Sequence, residues 1–583
     1  MSEAAAVVLA LSTAGGALAA VPVPWPVALL VLALAFARRS PIVLCLGAAL
    51  LASGCAARAW AGLRPPPPRA WSGVATLVSD PGDFDGAVRV DLRVGHRRVE
   101  AWARGSAAGQ LRHRLAGEQV SAAGRLEPLP PGLRERLARR HVAARLTVDE
   151  VGGWSPGGPA TRLANGVRRT LLDGAASMPD DRRALFAGFV LGDDREQSVE
   201  SVDDFRASGL THLLVVSGQN VAFVLALASP LLGRLSLGGR LAAAVLVLLV
   251  FGLVTRWEPS VLRAEAMTGV ALLASTLGRS VSGLRLLALA VTGVLLVDPL
   301  LVGSVSFLLS AGACAGIALF AAPLTAALPG PRPLAAALAV TLAAQIGVAP
   351  VLVPVFGGLP VAAVPANLLA LPAAAPVMMW GLAAGLPAGL VGGAVAHLVH
   401  VPTGWLVAWV AGVARVSARL PLGELRAPHV LLLTAATCVL AVSHRRAFSA
   451  RRHRAVRAAV LLTVVVTLAA PAFLDRSPRP AWAEPVVDGV RLWQAGAASV
   501  VELDRASPAT LLTALRRRRV RRIDVLVLAR RSAAGVAATV TRRVPARVVL
   551  AEAGTEVEAG ALRVRVEQQA TRLVAVVGRR ASE

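Results

Sequence analysis

The sequence predicts a polytopic α-helical membrane protein with two soluble domains, an N-terminal OB-like β-barrel and a C-terminal α/β domain. Three observations carry this prediction. Of the 583 residues 55% are hydrophobic and only 16% charged, and the mean hydropathy of +0.62 is too high for an ordinary soluble enzyme. Apolar runs long enough to cross a bilayer, about 18–20 residues each, recur over most of the chain. Two polar stretches with β-prone patterning interrupt or follow them.

The charge is high, but its position matters more than its sum. All 61 basic residues are arginine and tyrosine is absent, a bias that a G- and C-rich genome explains. The net charge of +26 therefore bears on function only where arginines cluster. Cys45, Cys55, Cys314 and Cys438 all lie in apolar segments and form no CxxC pair, so neither a disulfide framework nor a zinc site is indicated.

The first domain, residues 1–62, reads as three short membrane spans over 4–20, 21–37 and 41–57, with no basic region of a cleavable signal ahead of them. Arg38 and Arg39 lie in the turn after the second span, which the positive-inside rule places in the cytoplasm. The third span then delivers the chain to the outer face, where the polyproline spacer Pro65–Pro68 opens an extracytoplasmic domain over 63–180. Five runs there, 71–78, 87–94, 99–103, 119–126 and 142–148, read as strands, and Val88, Val90, Leu92 and Val94 alternate with polar residues. A short helix near 111–115 falls between the third and fourth runs. Five strands with that insertion suit an OB-type barrel, a fold often used to hold single strands. Aromatic residues for base stacking are few, chiefly Trp71, Phe84 and Trp102, so a docking module is an equal reading.

Residues 181–474 read as the polytopic core, with apolar segments near 210–233, 241–257, 262–278, 283–298, 303–323, 334–356, 359–390, 394–420, 429–443 and 458–474. Pro350, Pro354, Pro360, Pro365, Pro372 and Pro376 are expected to break the middle of this region into pieces. Broken helices suit a lined cavity, because protein or water must satisfy the freed backbone groups. A kinked bundle without a pore is the alternative. Six arginines in Ser443–Arg457 mark a cytoplasmic loop, so the last span carries the C-terminal domain, 475–583, to the same outer face as the barrel.

Within the run Asp203–Leu225, the polar residues His212, Ser217, Gln219 and Asn220 sit at membrane depth. Such residues are costly there and mark a pathway by default. On one continuous helix His212, Gln219 and Asn220 fall within about 100° of each other, with Ser217 beside them. Interhelical hydrogen bonds, worth about 0.6 kcal/mol each, are the structural alternative. Asp203 and Asp204 are expected to cap helices or to pair with arginines such as Arg206.

Four motifs in order then resemble the competence protein family of DNA internalisation channels. Leu191-Gly192, Phe205, Gly209–Leu214, Val216–Gly218 and Asn220 form the first, and Pro259-Ser260, Arg263-Ala264 and Met267 the second. Asp298-Pro299 with Ser306–Ser310 resembles the third, and Ala344-Gln345, Ala349-Pro350, Phe356-Gly357, Ala366–Ala370 and Pro372 the fourth. The resemblance implies an inner-membrane, multi-pass channel for single-stranded DNA in natural transformation, set among membrane lipids. It also implies an extracytoplasmic DNA receptor and a cytoplasmic helicase-like ATPase as partners, and leaves a homo-oligomer open. No Walker-type GxxxxGK[ST] is present, since the chain has no lysine. His212, Ser217, Gln219, Asn220, Arg263 and Asn367 are the expected pathway residues.

Many family members end in a metallo-β-lactamase-like domain whose THxxxDH-type cluster holds two metal ions for phosphodiester hydrolysis. Here the expected strand Ile523–Leu528 is followed by Arg530, Ala534 and Gly535 at the His, Asp and His positions, and the last histidine of the chain is His453. The earlier glycine-aspartate turn is reduced to Ala495–Ala498. The expectation is a degenerate domain with no catalytic residue, no metal site, no cofactor and no nuclease activity. Arg516, Arg517, Arg518, Arg519, Arg521 and Arg522 form a basic run that is either a solvated face or a guide for phosphates at the pore mouth. Two rival functions remain, a transporter for a small solute or lipid built on the same broken helices, and an intramembrane hydrolase around His212 and Ser217. No set of metal ligands at helical spacing accompanies that pair.

Overall fold

The chain begins with three helices, α1 (Glu3–Ala19), α2 (Trp25–Arg38) and α3 (Pro41–Gly62). The fold is that of a computed structural model describing residues 2–579 apart from 85, 277, 279, 421, 446–449, 475–480, 496, 497, 519, 561, 570 and 571. Ser2 and Ser40 cap α1 and α3 by accepting from Ala5 and Val43 N–H groups at 3.2 and 3.4 Å, and Pro41 fits the first turn because its missing N–H is one no helix would use. A Cβ on Gly16 would lie 2.1 Å from the Ala49 carbonyl oxygen, so α1 and α3 pack backbone to backbone. Only α3, at 22 residues, is long enough to span a bilayer. At 1.5 Å per residue the 14-residue α2 reaches about 21 Å against a core of about 30 Å, which departs from the three spans expected.

Next comes a mixed six-stranded sheet: β1 (Arg69–Leu77), β2 (Gly82–Phe84), β3 (Ala87–Val94), β4 (Arg97–Ala103), β5 (Gln119–Pro128) and β6 (Val142–Ser155), with α4 (Gly105–Arg112) and α5 (Arg134–Ala138) inserted. Its order is β1-β5-β6-β4-β3-β2, and β1 also meets β3 at Thr76–Arg93 and Leu77–Leu92. All five strands expected from the alternating pattern form, because Val88, Val90 and Leu92 bury one face with Val99, Ala101 and Leu146. The added edge strand β2 makes this a six-stranded sheet rather than the five-stranded barrel expected.

The helical region follows with α6 (Pro159–Gly174), α7 (Asp180–Leu191), α8 (Val199–Ala207), α9 (Gly218–Leu232), α10 (Leu237–Val254), α11 (Pro259–Thr276), α12 (Gly283–Val297), α13 (Val305–Ala327) and α14 (Arg332–Phe356). After the two-residue β7 (Leu359–Pro360) come α15 (Ala363–Val391) and α16 (Gly393–Arg419), then β8 (Glu424–Leu425), α17 (Ala427–Arg445) and α18 (Ala450–Leu474). Among the described residues seven helical segments are long and apolar enough to cross a membrane: α3, Thr211–Leu232, α10, α13, α14, α15 and α16. Contrary to the expected breaks, α14 runs through Pro350 and Pro354, and α15 through Pro372, Pro376 and Pro387. Apolar surroundings penalise an unpaired backbone group heavily, so the helices continue through their prolines. The interruption falls instead between them, where Gly357 takes φ +90° and caps α14.

Two kinds of packing hold this region. Phe186, Phe189, Phe205 and Leu210 form a core with Val377 and Met378 of α15 and Val407 and Val410 of α16. Between α13 and α14 the contact is glycine on glycine, since a Cβ on Gly347 would lie 2.1 Å from Gly312 O and one on Gly316 2.2 Å from Ala343 O. His141 on the sheet side meets Asp298, 2.9 Å between Nε2 and Oδ2, tying the sheet to the end of α12.

The chain ends in an α/β unit. Strands β9 (Ala481–Val487), β10 (Val490–Ala495), β11 (Ala498–Leu503), β12 (Ile523–Leu528) and β13 (Ala546–Leu550) form one sheet, with α19 (Pro508–Arg517) and α20 (Ala534–Thr541). Strands β14 (Glu556–Ala559), β15 (Leu562–Gln569) and β16 (Arg572–Arg579) form a second, antiparallel one. The expected strand Ile523–Leu528 is β12, buried along its whole length and parallel to both neighbours. Of the turn expected at Ala495–Ala498, residues 496 and 497 lie outside the described residues, as does part of the basic run 443–457.

Candidate pathway site

The run from Leu210 to Asn220 does not form one helix. A 3-10 turn, Thr211–Leu213, is followed by non-helical residues, and α9 starts only at Gly218. Local chemistry sets the break. Ser217 is extended (φ −107°, ψ 166°), and its Oγ accepts from the Gln219 N–H at 3.3 Å, the geometry of an N-cap. Ser260 Oγ at the start of α11 donates to the Val216 carbonyl at 2.7 Å and fixes the same segment from the side.

This break separates the expected pathway residues. His212 is exposed on the 3-10 turn and Gln219 is exposed on the first turn of α9, so the shared helical face does not exist. Ser217 is half-buried and acts as the cap. Asn220 is wholly buried, its Nδ2 donating to Phe189 O at 3.1 Å, while its Oδ1 has no partner among the described residues. Asn367 is buried and turns its amide back onto Ala363 O of its own helix at 2.8 Å. Asn220 and Asn367 thus bind backbone rather than line a void.

Arg263 lies in the second turn of α11 and is 4% exposed. Its Nε donates to Ser310 Oγ at 2.8 Å, and its Nη1 contacts Met267 Sδ and Cys314 Sγ, each at 3.1 Å. A Cβ on Gly218 would lie 3.1 Å from its Nη2. The structure therefore brings together Ser217, Gly218, Gln219 and Arg263, where α9 and α11 begin, and leaves His212 and Asn367 apart from them.

A cluster that sequence reasoning missed lies between the sheet and the helices. Arg168 on α6 is 1% exposed, with Nη2 at 2.8 Å from Asp193 and 3.1 Å from Asp80, while Nη1 donates to Leu191 O and Val254 O. Arg195 holds Asp193 through two bonds of 2.6 and 2.7 Å, and Arg256 holds Asp80 and Asn165. Burial pushes the Asp80 carboxyl up, but the charges of Arg168, Arg256 and Arg195 outweigh it and hold the group at about 2. The same opposition leaves Asp193 below its ordinary value, and Arg195 is raised by its bonds to Asp193 despite burial. The six residues are scattered from Asp80 to Arg256, so no local pattern joins them.

The basic run is divided too. Arg516 Nη1 lies 2.6 Å from Asp203 Oδ1, Arg522 pairs with its neighbour Asp524 at 3.0 Å, and Arg521 is exposed. Arg518 is half-buried, and the Arg517 side chain and residue 519 lie outside the described residues. Arg543 pairs with Asp204, Arg542 with Glu200 at 3.1 Å, and Arg206 donates to Thr513 at 2.9 Å. The acidic partners expected near Arg206 thus come to arginines of the C-terminal unit, and α8 is where that unit docks. Among the described residues no three His, Cys, Asp or Glu side chains are grouped to hold a metal.

Seven helical segments of spanning length and apolar composition, one of them interrupted ahead of Gly218, define the class as a polytopic membrane protein. Residues 189–446, from the end of α7 through α17, match the family model described as Competence protein, which assigns this helical segment to that family. The chain matches no curated protein and no solved structure.

Proposed function

We propose that the protein is an inner-membrane channel that passes single-stranded DNA during natural transformation and has no nuclease activity of its own. The observation that carries this reading is the competence family match over the same residues that hold six of the seven spanning-length segments. Exposed Gln219 in the first turn of α9 and the buried cation Arg263 in the second turn of α11 supply polar groups to such a path, with exposed His212 on the 3-10 turn ahead of α9.

The soluble units fit the same reading. The edge strand β1 also pairs with β3 at two positions, one strand in from the opposite edge strand β2, and this partial curl is what supports an OB-like reading of 63–180 on the outer face. The unit after 475 reads as a degenerate metallo-β-lactamase-like domain, in which Arg530 ion-pairs with Asp504 at 2.6 Å where a family relative would place its first metal-binding histidine. Energy for transport must come from a partner, a helicase-like ATPase inside, with a DNA receptor outside. Uptake of labelled DNA by a deletion strain tests the proposal: loss of uptake, restored by the intact chain, is expected. Normal uptake without the protein overturns it and favours a solute or lipid transporter.

A further inference from the structure

Among the described residues nothing neutralises the charge of Arg263. It is 4% exposed, and an arginine so buried needs a counter-charge or a full set of acceptors. Its neighbours are Ser310, Met267 and Cys314, one hydroxyl and two weakly accepting sulfurs. Among the described residues no carboxylate pairs with it, and the Oε1 of Glu265, two positions along the same helix, is buried without a hydrogen-bond partner. Nε and Nη1 are occupied, but Nη2 has no acceptor among the described residues.

That free end faces a second positive feature. Nη2 lies where a Cβ on Gly218 would be 3.1 Å away, and Gly218 is the first residue of the 15-residue α9. In the first turn of α9 the Gln219 N–H is taken by Ser217 Oγ and the Asn220 N–H by Ser217 O, which leaves the Gly218 N–H without an acceptor among the described residues, at the positive end of the helix dipole. A helix N-terminus and an unneutralised guanidinium thus converge on one spot, reached past a residue with no side chain. What completes such an arrangement is an oxyanion, and a guanidinium beside the Gly218 N–H at a helix start suits a phosphate oxygen above others.

We propose that Arg263 Nη2 and the N-terminus of α9 form a binding station for a single phosphodiester, and that the strand passing through the channel supplies it. This rests on the channel reading above. One contact of this kind is enough to orient a strand and weak enough to release it, as conduction requires. A phospholipid headgroup offers the same chemistry, so the test separates the two sources.

The full-length protein in phosphatidylcholine nanodiscs is titrated with fluorescein-labelled oligothymidylate at several salt concentrations. Arg263→Gln is expected to weaken binding about tenfold and to make the slope of log K against log salt shallower by about 0.7, the loss of one phosphate contact. Arg263→Lys restores the slope but not the full affinity, a pattern that a merely structural role does not produce. Gly218→Ala, which blocks the approach and leaves the cation in place, weakens binding as well, so the station is tested even if Arg263→Gln folds poorly. An unchanged salt slope in both Gln and Ala variants overturns the station. So does an effect confined to retention of phosphatidylglycerol, which identifies a headgroup site. Translocation of DNA by wild-type proteoliposomes with an identical rate in Arg263→Gln sinks the station alone, whereas no translocation by wild type sinks the channel reading with it.

Discussion

Arg168 and Asp193 form an ion pair, 2.8 Å from Nη2 to Oδ2, in which both side chains are nearly removed from solvent. The pair stands where α6, the end of α7 and the end of α10 meet, because Arg168 also binds the carbonyls of Leu191 and Val254. Asp80 brings the sheet to the same arginine. Removing one member leaves the others charged and buried. Arg168→Met is therefore expected to cost about 3–5 kcal/mol, read as a lower unfolding midpoint in detergent, whereas Arg162→Met, at an exposed position of the same helix, costs far less.

Asp80 gives this junction a defined acid limit. Its carboxyl is held at about 2 in the folded protein, below the roughly 3.9 of an unfolded chain. A depressed folded value contributes stability in full above about pH 4, and that contribution disappears as pH falls towards 2. The amount is roughly 2–3 kcal/mol. Stability measured from pH 6 to pH 2 is expected to fall less steeply in Asp80→Asn than in wild type below pH 4, and to start from a lower plateau.

The C-terminal unit is attached to α8 by charge. Arg516 meets Asp203 at 2.6 Å, Arg543 meets Asp204, and Arg542 meets Glu200. The double variant Asp203→Asn, Asp204→Asn is expected to speed hydrogen exchange in α8 and α19 and to leave α13 and α14 unchanged. High salt is expected to move wild type in the same direction, more weakly because the pairs are partly buried.

Glycine sets the approach of α13 and α14. With Gly312 O only 2.1 Å from a Cβ on Gly347, Gly347→Ala must push backbone against backbone. It is expected to destabilise by about 1–3 kcal/mol, while Gly269→Ala, where a Cβ meets nothing within 4 Å, has little effect.

The polar residues of the first motif are expected to separate by role. Asn220→Ala loses the bond to Phe189 O and leaves that carbonyl buried, lowering stability by about 1–3 kcal/mol. Gln219→Ala, at an exposed site, leaves stability unchanged and lowers transformation frequency. Equal transformation by Gln219→Ala and wild type would remove Gln219 from the path.

Much of the architecture was legible because it rests on local pattern. Alternation at Val88, Val90 and Leu92 marks β3, and the apolar run Ile523–Leu528 marks β12. The competence motifs lie within short segments and point to the family that residues 189–446 match. Helix continuity was misread at two places for opposite reasons. Ser217 ends a helical pattern by capping the next turn, although the residues around it are apolar. The prolines at 350, 354, 372 and 376 leave α14 and α15 unbroken, because the surroundings do not reward a freed backbone group.

By itself the sequence determined where the apolar segments lie, that strands such as β3 and β12 form, and that the last domain has no histidine. Those properties depend on hydropathy, period and composition, which neighbours in the chain supply. Tertiary structure alone decided how each polar residue is used. Asn220 and Asn367 face backbone, Arg516 is committed to Asp203, and Arg263 is left beside the start of α9 with one end free. A charge acquires its partner from whatever distant segment packs against it, and Arg168 with Asp80 and Arg256, far apart in the chain, shows that sequence spacing carries no record of that choice.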